Sequence, residues 1–100
     1  MHDDNLLWLQ KWYYSHCNQD WEHGSIIHIE TIDNPGWSIT INLEDTDYKN
    51  KEFDKIKIER SDNNWIFCQV KASKFEGRCG PLNFSEILQI FRNWVEEKVG

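Results

Sequence analysis

DWEHGSIIHIETIDNPGW, residues Asp20 to Trp37, is the stretch on which the reading of this chain turns. It opens on a charged and aromatic cluster (Asp20, Trp21, Glu22, His23), runs through a β-prone segment from Ile26 to Ile32, and closes on Asp33-Asn34-Pro35-Gly36. Proline presets φ and glycine accepts φ > 0, so Asn-Pro-Gly is a turn signal. After the turn, Trp37, Ile39, Ile41 and Leu43 alternate with Ser38, Thr40 and Asn42, the period of a half-buried strand. Before it, within Ser25 to Ile32, Ile27, Ile29 and Thr31 share one face, and Ile26, His28, Glu30 and Ile32 share the other. Two such runs joined this tightly predict a β-hairpin.

N-terminal to the hairpin, Leu6, Leu9, Tyr13 and Cys17 recur at helical spacing, with Trp12 widening the stripe and Trp8 at its margin. Asp3 or Asp4 supplies the N-cap. C-terminal to it, Glu44 to Glu52 is a polar loop. Phe53 to Arg60 is a third strand, with Ile56 and Ile58 inward and Lys55, Lys57 and Glu59 outward. Ser61 to Asn64 is a turn. Trp65 to Ala72 is a fourth strand, with Ile66, Cys68 and Val70 inward and Trp65, Phe67, Gln69 and Lys71 outward. Ser73 to Pro81 holds Gly77, Gly80 and Pro81 and is expected to be a loop. Asn83 and Glu86 have capping-box spacing, Leu82 and Ile87 fit a hydrophobic staple, and Phe84, Ile87, Leu88, Phe91, Trp94 and Val95 form a second helical stripe. The expectation is one α+β domain over residues 1–100: a four-stranded antiparallel meander with N- and C-terminal helices packed on one face.

Composition bounds the function. A 100-residue chain has room for one core. Its aromatic share of 14% allows a few rings to supply much of that core. A net charge of −6 opposes direct nucleic-acid binding, which needs cations to displace counterions, and suits a basic partner. Three cysteines at irregular spacing (Cys17, Cys68, Cys79) form no disulfide framework and no CxxC, which points to a reducing compartment. Asp3 and Asp4 interrupt any secretory h-region, and no apolar run is long enough to span a membrane.

Five groups of residues bear on chemistry. Asp20, Glu22 and His23 place carboxylates beside an imidazole, a pairing able to do acid–base work. No nucleophile or metal set accompanies them, so a structural or recognition role is the better reading. A thiol at Cys17 with His16 or His23, or at Cys79 beside Arg78, is the enzymatic alternative. Cys79 in its Gly-rich stretch is the more plausible reactive sulfur, although incidental burial accounts for both. His2, His16, His23 and His28 never fall at zinc-ligand spacing, and no metal or other cofactor is expected. Asn83-Phe84-Ser85 matches a glycosylation sequon that a helix cap explains better. Finally, His28, Glu30, Ser38, Thr40, Asn42, Lys55, Lys57, Glu59, Trp65, Phe67 and Gln69 line the outer sheet face. Trp65 and Phe67 there are either partner anchors or part of an ordinary solvated face.

The segments WLQKWYYSHCNQDWEH (Trp8 to His23), IETIDNPGWSITINL (Ile29 to Leu43) and FEGRCGPLNFSEILQIFRNWV (Phe75 to Val95) resemble the immunity protein 53 family of bacterial polymorphic-toxin systems. The WEH triplet, the DNPGW turn and the Gly-Gly-Pro-like stretch carry most of the likeness, and Cys79 departs from the plainer Gly-rich sequence expected there. The resemblance implies a small cytoplasmic, non-catalytic protein, a monomer or weak dimer, that binds and neutralises a cognate toxin by occlusion. That toxin is expected to be basic, with a nuclease as one candidate. The resemblance places contact at Asp20, Trp21 (an anchor), Glu22 and His23. The turn residues Asp33 and Asn34 join them, with Trp65 and Phe67 as the second candidate surface. Some relatives carry a sulfurtransferase-like label, discounted because consecutive strands do not build the alternating parallel sheet that such a fold needs. A small thiol-dependent enzyme and a Trp-based small-ligand binder are the rival readings.

Overall fold

The computed structural model describes residues 4–97. Helix α1 spans Asn5–His16, and a single 3-10 turn covers Trp21–His23. Five strands follow: β1 (Ile27–Ile32), β2 (Gly36–Asn42), β3 (Ile56–Ser61), β4 (Asn64–Lys71) and β5 (Lys74–Cys79). Helix α2, Phe84–Glu96, closes the fold. The sheet is antiparallel throughout, in the order β1-β2-β5-β4-β3. The α+β class and the β1–β2 hairpin agree with the sequence expectation. The strand count and the meander do not.

The additional strand is β5, in the stretch expected to be a loop. Two features disguise it. Its hairpin with β4 turns at Ala72 and Ser73, with φ of 52° and 60° and Lys71 opposite Lys74. Positive φ at both central residues is the primed-turn geometry, usually written with Asn and Gly rather than Ala and Ser. Its glycine, Gly77, is a packing device. A Cβ there would lie 3.1 Å from Ile39 Cγ2 and 3.2 Å from Ile87 Cδ1, so the missing side chain lets α2 settle on the sheet. Inserted between β2 and β4, this strand replaces the expected β2–β3 neighbourhood and puts β1 and β3 at the two edges.

The Asn34-Pro35-Gly36 turn also differs from its expected geometry. No glycine among the described residues takes positive φ. Gly36 is the first residue of β2, opposite Ile32, and its Cβ would lie 2.1 Å from the Cys79 carbonyl oxygen. It is required by close approach of β5, not by the turn.

Register sorts the two faces as the alternation predicts. Ile39, Gly77, Cys68 and Ile56 form one inward row, and Ile41, Phe75 and Val70 another. Helix α2 buries Ile87, Leu88, Phe91 and Trp94 on this side. Phe91, fully enclosed, touches Phe75 at 4.9 Å and Trp12 of α1 at 5.1 Å between ring centroids. Burying a ring of this size contributes about 1.5–3 kcal/mol. The buried line of α1 runs through Asn5, Leu9 and Trp12, while the expected Leu6 is 55% exposed. The stripe rotates because Trp12 must reach Phe91 and Trp21. Asp4 caps α1 by accepting from the Leu7 amide at 3.0 Å; Asp3 lies outside the described residues.

At the start of α2 the expected capping box and staple are absent. Asn83 is buried; its Oδ1 accepts from the Trp65 amide at 3.3 Å and its Nδ2 donates to Asn64 Oδ1 at 2.9 Å. It ties the helix to the β3–β4 turn, which leaves Leu82 92% exposed and unable to staple Ile87. The polar loop after β2 wraps the other end of α2, where Trp94 Nε1 donates to the Glu52 carbonyl at 2.8 Å and Phe53 packs edge-on against Phe75. No helix among the described residues is long and apolar enough to cross a membrane.

Candidate functional site

The helices cover only the inner face, so the outer face is where side chains of β1 to β5 meet solvent. One row crosses all five strands: Glu30, Ser38, Arg78, Phe67 and Lys57 lie side by side by register. Trp65, beside Glu59, continues the aromatic ridge one step along β4. Between this row and the β1–β2 and β3–β4 turns lies an open concavity of about 870 Å³, lined by Trp65, Phe67, Arg78, Ser38, Asn34 and Ile32, among others. Both rings are only half-buried.

Charges here are of both signs and mostly paired. Lys57 lies 3.5 Å from Glu59 and His28 lies 3.5 Å from Glu30. Arg60 makes a two-pronged bond to Glu86 at 2.7 and 3.0 Å, which holds the Glu86 carboxyl below the usual carboxylate range. Gln69 donates to Glu76 at 2.7 Å. The Arg78 side chain is exposed and makes no hydrogen bond or ion pair among the described residues. Glu76 and Arg78 escape the sequence reading because they belong to β5. Had Phe75, Gly77 and Cys79 been read as an inward alternation with a small member, both would have been placed on the outer face.

The Asp20–His23 loop has a different character. Trp21 is 5% exposed and packs against Trp12 at 5.9 Å and Tyr13 at 5.5 Å. Its ring therefore faces the core, contrary to the expectation of a partner anchor. Glu22 is engaged with the backbone. Amides of Glu22 itself, Asn18 and Gln19 hold its carboxyl below the usual range, with Asn18 N at 2.9 Å and Gln19 N at 2.7 Å. Asn18 Oδ1 in turn accepts from the Asp20 and Trp21 amides at 2.9 and 2.8 Å. Gln19 sits at φ 79°, a left-handed turn that these bonds stabilise. Asp20 and His23 remain exposed.

The sequence-proposed residues are therefore regrouped. Asp20, Glu22 and His23 lie before the start of β1, and Asp33 and Asn34 lie beyond its end, about 20 Å away at strand rise. Asn34 instead joins Trp65 and Phe67 at the concavity.

The thiols are not poised for chemistry. Cys79 is fully buried in β5, and burial pushes its thiol up to about 11. Burial pushes Cys68 up to about 12. Cys17 Sγ donates to the Tyr13 carbonyl at 3.4 Å, and His16 Nδ1 bonds the Trp12 carbonyl at 2.9 Å, so neither is directed at the other. Among the described residues no three of His, Cys, Asp and Glu gather as a metal set. Asn83, the sequon residue, is buried and bonded.

A family model for immunity protein 53 matches residues 6–96, from the first turn of α1 to the last residue of α2. The chain belongs to the immunity protein 53 family. No curated protein and no solved structure matches it. The match takes in both the Asp20–His23 loop and every strand of the outer face, so family membership does not by itself choose between them.

Proposed function

We propose that this member of the immunity protein 53 family binds a cognate toxin and neutralises it by occlusion, without catalysis, in the cytoplasm. The contact surface is the concavity on the outer sheet face. Trp65 and Phe67 are its anchors, Asn34 and Arg78 its polar contacts, and the exposed Asp20, His23 and Asp33 lie outside it. The observation that carries this reading is the uncovered outer face with two half-buried rings at its centre. Aromatic side chains with a polar surround are the usual composition of an energetically dominant interface patch. The concavity is open rather than closed around a small ligand, a shape that fits a protein surface better. The net charge of −6 favours encounter with a basic toxin.

The test is binding to the co-encoded toxin. The wild-type protein is expected to form a one-to-one complex and to protect cells in co-expression. Trp65→Ala with Phe67→Ala is expected to weaken binding about a hundredfold. Asp20→Ala with His23→Ala is expected to leave it nearly unchanged. If the second pair abolishes protection and the first does not, the surface is misassigned. If the wild-type protein forms no complex, the function is.

A further inference from the structure

Strand β1 has one edge bonded to β2 and the other bonded to nothing among the described residues. Which backbone groups face that free side follows from the register. The Asn42 amide donates to the Ile26 carbonyl at 2.8 Å, so the even-numbered residues of β1 exchange bonds with β2. The N–H and C=O groups of Ile27, Ile29 and Thr31 therefore point away from the sheet. The strand is accessible there: His28, Ile29, Glu30 and Thr31 are all exposed, Ile29 at 39%. Of the usual protections of an edge it has no lysine, no proline and no bulge, and its one full charge, Glu30, lies 3.5 Å from His28.

The side chains also complement themselves. On the outer face His28 and Glu30 flank the centre of the strand, and on the inner face Ile29 marks it. We propose that a second copy of this chain adds its own β1 antiparallel to this one, with Ile29 opposite Ile29, to make a symmetric dimer with one continuous sheet.

Two requirements together select this register. The outward groups belong to odd residues, so odd residues must form the hydrogen-bonded pairs. Ile29 with Ile29, and Ile27 with Thr31 on either side, satisfies this with about six bonds. The even residues then become the close, non-hydrogen-bonded pairs, and His28 of each copy falls opposite Glu30 of the other. A slip that centres the pairing on Glu30 sets carboxylate against carboxylate, and one that centres it on His28 sets imidazole against imidazole. Like charges directly opposite disfavour the first, and the second gives up both His28–Glu30 pairs across the seam. In the single chain His28 and Glu30 already approach each other along the strand at 3.5 Å, so the dimer exchanges this pair for two across the seam. On the inner face each Ile29 covers the other's exposed surface. Glu30 also lines the concavity, but the proposal does not rest on the toxin-binding reading, because it is argued from the free backbone edge of β1 and is read on the chain alone.

Sedimentation velocity on the full chain from about 10 µM to 1 mM tests it, a range suited to so small an interface. The wild-type protein is expected to shift from monomer to dimer. His28→Glu places four carboxylates at the seam and is expected to weaken the dimer at least about tenfold. His28→Lys/Glu30→Lys is expected to do the same, and an equimolar mixture of the two variants to restore a heterodimer. Hydrogen exchange on the wild-type protein needs no variant: the Ile27, Ile29 and Thr31 amides should slow on concentration. A monomer at about 1 mM overturns the proposal. So do charge variants that dimerise like wild type, a mixture that forms no heterodimer, or slowing of these amides only when toxin is added.

Discussion

Strand β3 at one edge of the sheet reads IKIERS, and strand β1 at the other reads IHIETI. Both alternate isoleucine with polar residues, and both have a free side. The backbone groups that face outward differ. On β3, the bonds from β4 place the free N–H and C=O groups at Lys57 and Glu59, and the register slips between Glu59 and Ser61. A strand approaching there meets a lysine and a bulge, the two protections that β1 lacks. On β1 the free groups belong to Ile27, Ile29 and Thr31, with no bulge. One edge is guarded against association and the other is left able to pair, although their hydrophobic patterns are nearly the same. The lesson is that edge chemistry depends on which residues the neighbouring strand leaves unbonded, not on composition.

The comparison holds only while the central strands hold, and the largest effect is expected there. Gly36→Ala drives a Cβ into the Cys79 carbonyl and should separate β5 from the β1–β2 hairpin. A loss of about 3 kcal/mol in urea unfolding is expected. An unchanged midpoint would mean that this close approach does not constrain the sheet. Next, Ile29→Lys gives β1 the kind of protection β3 already has. It should cost the fold about 1 kcal/mol, because Ile29 is 39% exposed. It should also reduce self-association, measured by sedimentation, more than tenfold. The converse, Lys57→Val with Glu59→Thr, strips the guard from β3. Light scattering should then show a second, concentration-dependent association that wild type lacks; if it does not, the bulge alone protects that edge.

The smallest effect concerns the Arg60–Glu86 link that fastens the end of β3 to the first turn of α2. Arg60 depresses the Glu86 carboxyl below the ordinary 4.5 of a glutamate. A depressed carboxylate stabilises the fold above its unfolded pKa, and the contribution is lost as pH falls through the folded value. Both side chains are well exposed, so screening keeps the effect small. Arg60→Ala should lower the melting temperature slightly near neutral pH, and the gap from wild type should close as pH drops below 4.5. A gap that persists in acid would assign the loss to packing of the Arg60 stem.

Local pattern was enough for much of this molecule. The two helices, the β1–β2 hairpin, the inward rows through Ile39, Ile66 and Phe91, and the outer row with Trp65 and Phe67 all follow from periods of 3.6 and 2. These periods report which side of an element faces apolar neighbours, and nearby residues encode that. Strand β5 was not legible because its turn is made by Ala72 and Ser73 and its centre is Gly77, a residue that reads as a breaker until Ile39 and Ile87 are seen on either side. The fate of the Asp20–His23 cluster was equally hidden: a charged tryptophan loop looks the same in sequence whether Trp21 turns out or in.

Chain order alone thus decided the class of each segment and the two faces of most strands, since backbone periodicity and turn stereochemistry act over a few residues. Only the tertiary structure decided that β5 threads between β2 and β4, that Trp21 is enclosed, and that Asn34 and Trp65 line one concavity on the outer face. Each of those depends on contacts between residues far apart in the chain. Such contacts are set by how volumes fit together and by which backbone groups are left to bond, and no local window contains that information.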